Sequence, residues 1–177
     1  MTEHHDTSPH DPVRVSDDPA EVAKVHEMIS GMDIAMLTTV DSSSSEGRLT
    51  SRPLSTQVAE DDGDVLFLVR SSSAAAADVR ADPRVNVAYS SMKAWVSLAG
   101  TASLVEDRAL VEQLWSKGAD LFMEGGSDNP DNVVLRVSAD TAHYWGGDSL
   151  LGTAVSTLRA VTGRDSDEPS STVVELP

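Results

Sequence analysis

The chain has 177 residues, 40% apolar and 24% charged, with no cysteine, so a single domain with an ordinary core is expected while disulfides, zinc–thiolate sites, Cys-ligated iron–sulfur clusters and thiol nucleophiles are excluded. Thirteen Lys and Arg stand against 29 Asp and Glu, a formal net charge of -16. Only Lys24, Lys93 and Lys117 are lysines and no basic run occurs, which argues against nucleic-acid binding and against docking to an anionic membrane.

The polar, acidic start (Met1-Thr-Glu-His-His-Asp) lacks the cationic and apolar runs of a secretory signal, and no stretch is apolar enough to span a bilayer; a cytoplasmic protein is expected. Residues 1–16 read as a disordered arm. Its His4, His5 and His10, with Asp6 and Asp11, are a candidate divalent-metal grip, although His-rich termini bind metals adventitiously. Asp18 then suits a helix N-cap, Pro19 the first helical position, and Glu21 completes the signal. Val22, Val25, Ile29 and Met32 recur at helical spacing, and Gly31 can end the helix.

Residues 34–40, 48–58 and 65–69 read as strands separated by the turns 41–47 and 60–64. Pro53 within the second strand predicts an edge or a bulge, since proline cannot donate to the ladder. Residues 71–81 have the composition of a serine-capped helix stopped by Asp82-Pro83. Strands are predicted at 85–89 and 94–105, the latter bulged at Gly100. An amphipathic helix over 107–117 carries Leu110, Val111, Leu114 and Trp115. A loop over 125–132 then leads to a strand pair, 133–137 and 141–145. Helical spacing returns over 149–162, before a short run at 172–176. Six or seven strands with a few helices argue for a closed or nearly closed antiparallel barrel with helices at its rim. The domain is placed at 17–147, followed by a C-terminal helix and tail over 148–177.

No phosphate-loop, dinucleotide-fold, zinc-protease or G-x-S-x-G signature occurs. Gly147-Asp-Ser-Leu150 spells a hydrolase block, but no histidine follows it and it lies near the C-terminus, so it reads as chance. His26 falls in the first helix and His143 on the last strand, and neither has an evident acid–base partner. Any redox chemistry would therefore need a borrowed cofactor.

Met36-Leu-Thr-Thr-Val-Asp41, Ser51-Arg-Pro-Leu54, Ala81-Asp-Pro-Arg-Val-Asn86 and Val96-Ser-Leu-Ala-Gly100 follow one another at characteristic distances, and Val105-Glu-Asp-Arg108, Glu112-Gln-Leu-Trp115 and His143-Tyr-Trp145 come after them. Over roughly residues 20–147 this order resembles the general stress protein 26 branch of the pyridoxamine 5'-phosphate oxidase-like superfamily. The resemblance implies a mainly β fold with peripheral helices, an antiparallel split β-barrel of the FMN-binding type. It also implies a homodimer holding flavin mononucleotide between its subunits, with FAD or a deazaflavin as other possible ligands.

By the same resemblance Arg52 contacts phosphate, for which a guanidinium is suited, and Pro53, Leu54, Ser55, Thr56 and Gln57 run along the cofactor. Val69 and Ser73 border it. Trp95 lies near the ring, and Trp145 reaches it from the partner subunit. For Arg52 an ion pair on the strand surface is the competing reading, and for both tryptophans it is core packing. Two positions depart from the family pattern: Ala75 stands where a phosphate-binding lysine is expected, and Val69 where threonine is common. Ser71, Ser72 and Ser73 at a helix start could compensate.

The function implied is a flavin-dependent oxidoreductase taking electrons or hydride from a reduced small-molecule donor. No residue stands out as a catalytic acid or base, and no counterpart of the Arg-x-His substrate motif of true pyridoxamine phosphate oxidases is found. The alternatives are a flavin or deazaflavin binding module without efficient turnover, and a cofactor-free dimeric stress protein.

Overall fold

A computed structural model describes residues 14–16, 18–59, 64–115, 119–146 and 171–176. The order is β1 (Arg14–Ser16), α1 (Pro19–Ser30), β2 (Ile34–Val40), β3 (Leu49–Ala59), β4 (Val65–Arg70), α2 (Ala74–Ala81), β5 (Arg84–Ser90), β6 (Ala94–Val105), α3 (Arg108–Leu114), α4 (Ala119–Phe122), β7 (Asn132–Gly146) and β8 (Ser171–Glu175). Six of these strands close into an antiparallel barrel in the order β7-β4-β3-β2-β5-β6, with β6 pairing back to β7. Outside the ring, β8 pairs antiparallel with the far half of β7 and β1 runs parallel to β8.

Local chemistry accounts for most boundaries. Asp18 caps α1 by accepting from the amide of Ala20, Pro19 opens the helix, and the helix buries Val25 and Ile29. On β2 the pleat turns Ala35, Leu37 and Thr39 inward and leaves Ile34 and Met36 outside. Phe67, Val87, Tyr89, Val96 and Leu135 fill the ring. Val25 and Ile29 of α1, with Ala75 and Val79 of α2, join the same core. Side chains of this size stabilise the fold by about 1.5–3 kcal/mol each when fully buried.

Four features differ from the sequence reading. First, Arg14–Ser16, within the expected arm, forms β1; residues 1–13, with the histidine cluster, lie outside the described residues. Second, the expected strand pair at 133–137 and 141–145 is one strand. Between Ala99↔Thr141 and Gly100↔Ala139 the register shifts, so Asp140 is an extra residue on β7 and the chain continues past it. Gly100 permits this crossing, because a Cβ there would lie 2.1 Å from the Ser138 carbonyl oxygen. Third, α3 stops at Leu114: Asp107 caps it, and Trp115 has extended backbone. Its Val111 and Leu114 form a second core with Leu66 and Val134. Fourth, the 172–176 run is β8. The helix expected over 149–162 and the Gly147–Leu150 block lie outside the described residues.

Pro53 occupies a local edge. Residues 49–55 of β3 pair with β2, whereas β4 joins β3 only from Thr56, with Gln57 bulged between Thr56↔Phe67 and Val58↔Leu66. One side of the 51–55 stretch is consequently open, as a strand proline requires.

Candidate functional site

The opening beside β3 is a cleft of about 540 Å³. Arg52, Pro53, Leu54, Ser55 and Gln57 line it from β3, Leu68, Val69 and Arg70 from β4, and Ser73, Ala74 and Ala75 from the start of α2; Ile34, Ala119 and Met123 complete the wall. Its volume falls in the range of about 300–1,000 Å³ usual for small-molecule sites. The walls are mostly aliphatic. Among the described lining residues, Arg52 and Arg70 are the only ones with charged side chains, in a chain of net charge -16.

Arg52 is held from below. Its Nη2 donates to Oδ2 of Asp78 at 2.8 Å, and the two side chains are 20% and 4% exposed. Asp78, on α2, also accepts from Thr39 Oγ1 at 2.8 Å and from the Ser42 amide at 2.9 Å. Burial alone would push the Asp78 carboxyl up. The Ser42 amide, the Arg52 guanidinium and the Thr39 hydroxyl more than offset it and draw the pKa down to about 2. Arg52 Nη1 is buried, with no hydrogen-bond partner among the described residues. A buried polar group in that state costs about 1–3 kcal/mol.

Of the residues singled out from sequence, the cleft brings together Arg52, Pro53, Leu54, Ser55, Gln57, Val69 and Ser73. Thr56 does not line it. Its hydroxyl meets Tyr89 OH at 2.9 Å and its amide donates to the Asp33 carbonyl; Tyr89 is buried, and burial pushes its phenol up to about 12. Trp95 and Trp145 face each other across β6 and β7 and do not line the cleft of their own chain. Trp95 is 47% exposed, and Trp145 has His143 as a ring neighbour at 6.2 Å.

The serine loop is largely committed elsewhere. Ser72 donates to Asp131 through its amide (2.8 Å) and hydroxyl (2.6 Å), and Ser71 accepts from Arg80 through its carbonyl and hydroxyl. Only Ser73 faces the cleft, where its Oγ accepts from the Ala76 amide and caps α2.

Sequence reasoning missed Asp78, Arg70, Ile34, Leu68, Ala74, Ala119 and Met123 as site residues. For Asp78 a signal was present. It lies three residues after Ala75 and one before Val79, on the buried face of an alanine-rich helix, where a carboxylate needs partners.

The geometry defines a class: a closed antiparallel barrel with a cationic-floored cleft where one strand changes neighbours. The model of the family described as "Pyridoxamine 5'-phosphate oxidase like" matches residues 20–167, and the chain belongs to that family. It is 32% identical over 153 residues to Protein bli-3 of Neurospora crassa, spanning 77% of this chain and 72% of that protein. Among solved structures it is similar to the general stress FMN/FAD binding protein of Xanthomonas citri, at 27% identity and a TM-score of 0.60, covering 73% of this chain and 92% of the other. General Stress Protein 26 from Bacillus anthracis shares the fold at 21% identity and a TM-score of 0.63, covering 70% and 92%. Among the described residues, no helix is long and apolar enough to cross a membrane.

Proposed function

We propose that the chain binds a flavin, flavin mononucleotide first, in the cleft beside β3, and acts as a homodimeric oxidoreductase through it. The observation that carries this reading is Arg52: a guanidinium-bearing residue that lines the cleft and is anchored there by Asp78. The fit is good in three respects. The volume accommodates a drug-sized ligand, the aliphatic walls suit a flat ring, and both lining charges are cations.

Bound flavin would accept hydride or electrons from a reduced donor and pass them on. The chain's own part is to hold and to shield. Arg52 and the Ser73 hydroxyl would take the phosphate end. Pro53, Leu54, Val69 and Met123 would exclude water from the ring, and Gln57 and Ser55 offer polar contacts at its edge.

The outer face of the sheet supports the homodimer. Cross-strand rows run Pro53–Met36–Ala88–Ser97–His143 and Ser51–Thr38–Asn86–Ala99–Thr141, with Ser90–Trp95–Trp145 beside them. None of these positions is Asp, Glu, Lys or Arg, although 24% of the chain is charged. Ile34 and Met36 are exposed there, at 56% and 40%, and Ile34 also lines the cleft. An uncharged face suits contact between two copies of a chain of net charge -16. The partner's tryptophan pair would then supply the aromatic surface that the cleft lacks in one chain.

A second reading, binding without efficient turnover, is favoured by one feature: among the described residues, the lining includes no carboxylate, imidazole, phenol or ammonium group. Titration with FMN, followed by visible absorption and equilibrium dialysis, tests both. Saturable binding with a perturbed flavin band, lost in Arg52→Ala while the dimer persists, is the expected result. Absence of binding would overturn the proposal. Reduction of the bound flavin by nicotinamides then separates turnover from storage.

A further inference from the structure

We infer that Arg70 is the residue that selects a phosphorylated ligand over its neutral counterpart, because it supplies the net positive charge of the cleft. The inference rests on the flavin reading above and names what recognises the anionic end of that ligand. Arg52 and Arg70 are the two charged residues among the described lining residues, but their charges are not equally available. Arg52 Nη2 is bonded to Asp78 Oδ2 at 2.8 Å, its Nη1 is occluded, and its side chain is 20% exposed. The buried Asp78 carboxylate offsets that guanidinium at contact distance, so the pair adds little net field to the cleft. Arg52 is required all the same, since without it Asp78 would stand beside the cleft as an uncompensated anion.

Arg70 is differently placed. It ends β4, is exposed, lines the cleft, and makes no side-chain hydrogen bond or ion pair among the described residues. Asp131 is near enough to feel its charge, but Ser72 already occupies both oxygens of that carboxylate, through its amide at 2.8 Å and its hydroxyl at 2.6 Å. The Arg70 carbonyl accepts from the Ser73 amide at 2.9 Å, and this turn sets Arg70 beside Ser73 and Ala74, which line the same cleft. The other walls there, Leu68, Val69, Ala119 and Met123, are apolar and would not repay the desolvation of a phosphate. A flavin therefore seats with its phosphate at the Arg70 end and its ring against the apolar walls. The free guanidinium keeps its whole donor fork for that phosphate.

The experiment measures dissociation constants for FMN and for riboflavin, which has the same ring and no phosphate. It uses the full-length wild type, Arg70→Lys, Arg70→Gln and Arg70→Glu, and the readout is the ratio of the two constants. The wild type should prefer FMN. Arg70→Gln should weaken FMN binding about tenfold, the loss of one charge-assisted contact, and leave riboflavin binding within about twofold. Arg70→Lys should keep most of the preference, and Arg70→Glu should reduce it below that of Arg70→Gln. Equal weakening of both ligands would mean that Arg70 supports the fold and does not read the phosphate. A ratio unchanged in Arg70→Gln, or one that does not follow the charge of the side chain, would place the phosphate elsewhere. A wild type that binds both ligands equally would show that the cleft does not select for phosphate at all. Each of these overturns the inference while leaving flavin binding intact. Failure of the wild type to bind either ligand overturns the flavin reading itself, and this inference with it.

Discussion

Replacing Asp78 by asparagine should destabilise the protein at neutral pH, and the loss should vanish in acid. The carboxyl is drawn from an ordinary 3.8 down to about 2 by the Ser42 amide, Arg52 and Thr39, against the opposing effect of burial. A group whose pKa is lowered on folding stabilises the native state fully above its unfolded value. That contribution is lost as the pH falls through the folded value. The window is therefore pH 4 to 2, and the gap between the two values corresponds to roughly 2 kcal/mol. Side-chain exposure of only 4% for Asp78 means that little of this is lost to solvent screening. In a domain of this size it amounts to about 4–8 °C in Tm. Urea unfolding followed by tryptophan fluorescence, for wild type and Asp78→Asn at pH 7, 4, 3 and 2.5, isolates the effect. Acid titration of the other carboxylates is common to both proteins and cancels in the difference. The stability gap should be near 2 kcal/mol at pH 7 and 4, narrow through pH 3, and fall to about a third of its neutral value by pH 2.5. A gap that stays constant across the series would refute the argument, because the ionisation of Asp78 would then not be what stabilises the network.

Ala75→Lys should tighten FMN binding about tenfold by restoring one charge-assisted contact, at some cost in Tm because Ala75 is only 4% exposed; dialysis showing no gain would place the phosphate away from α2. Gly100→Ala should lower stability by about 3 kcal/mol, since its Cβ would meet the Ser138 carbonyl oxygen at 2.1 Å and Ala139 Cα at 2.7 Å, both backbone atoms. A melting temperature within about 2 °C of wild type would show that the β6–β7 crossing relaxes freely. Met36→Asp, which places a charge on the uncharged sheet face, should convert a dimer to monomers in sedimentation velocity; a variant that stays dimeric would move the interface elsewhere.

Most of the fold was legible because it follows from local rules. The residues of 34–40 suit a pleated strand and form β2, and the Asp18-Pro19 cap began α1 where it was expected. Pro53 announced an edge before any pairing was known, and the edge is where the cleft opens. The single strand through residues 132–146 was not legible. Ser138-Ala139-Asp140 has the composition of a turn, and only the long-range contact with Gly100 makes it a bulge. The site divides in the same way. The Arg-Pro strand could be picked out as a unit, since its residues are neighbours in sequence. The roles of Ser71 and Ser72 could not, because what removes them from the cleft is Arg80 and Asp131, the latter 59 residues beyond Ser72. Asp78 lay between these cases: its place on a buried helix face demanded a partner, but nothing local said that the partner would be Arg52.

One pair of strands carries both departures from the acidic surface. Outward residues of β2 and β3 (Met36, Thr38, Ser51, Pro53) lie on the uncharged sheet face, while alternate residues Thr39 and Arg52 converge on Asp78. Because the strand period is two, these two sets cannot be exchanged or shifted separately: a slip of one residue would bring the buried network to the surface and the apolar face to the core. Ile34 joins them, since it is exposed on the sheet face and lines the cleft. A second copy docked on this face would therefore lie at the cleft mouth without any further structural device. The same packing that buries Leu37 and Ala35 thus fixes both which residues form the uncharged face and where Arg52 is anchored.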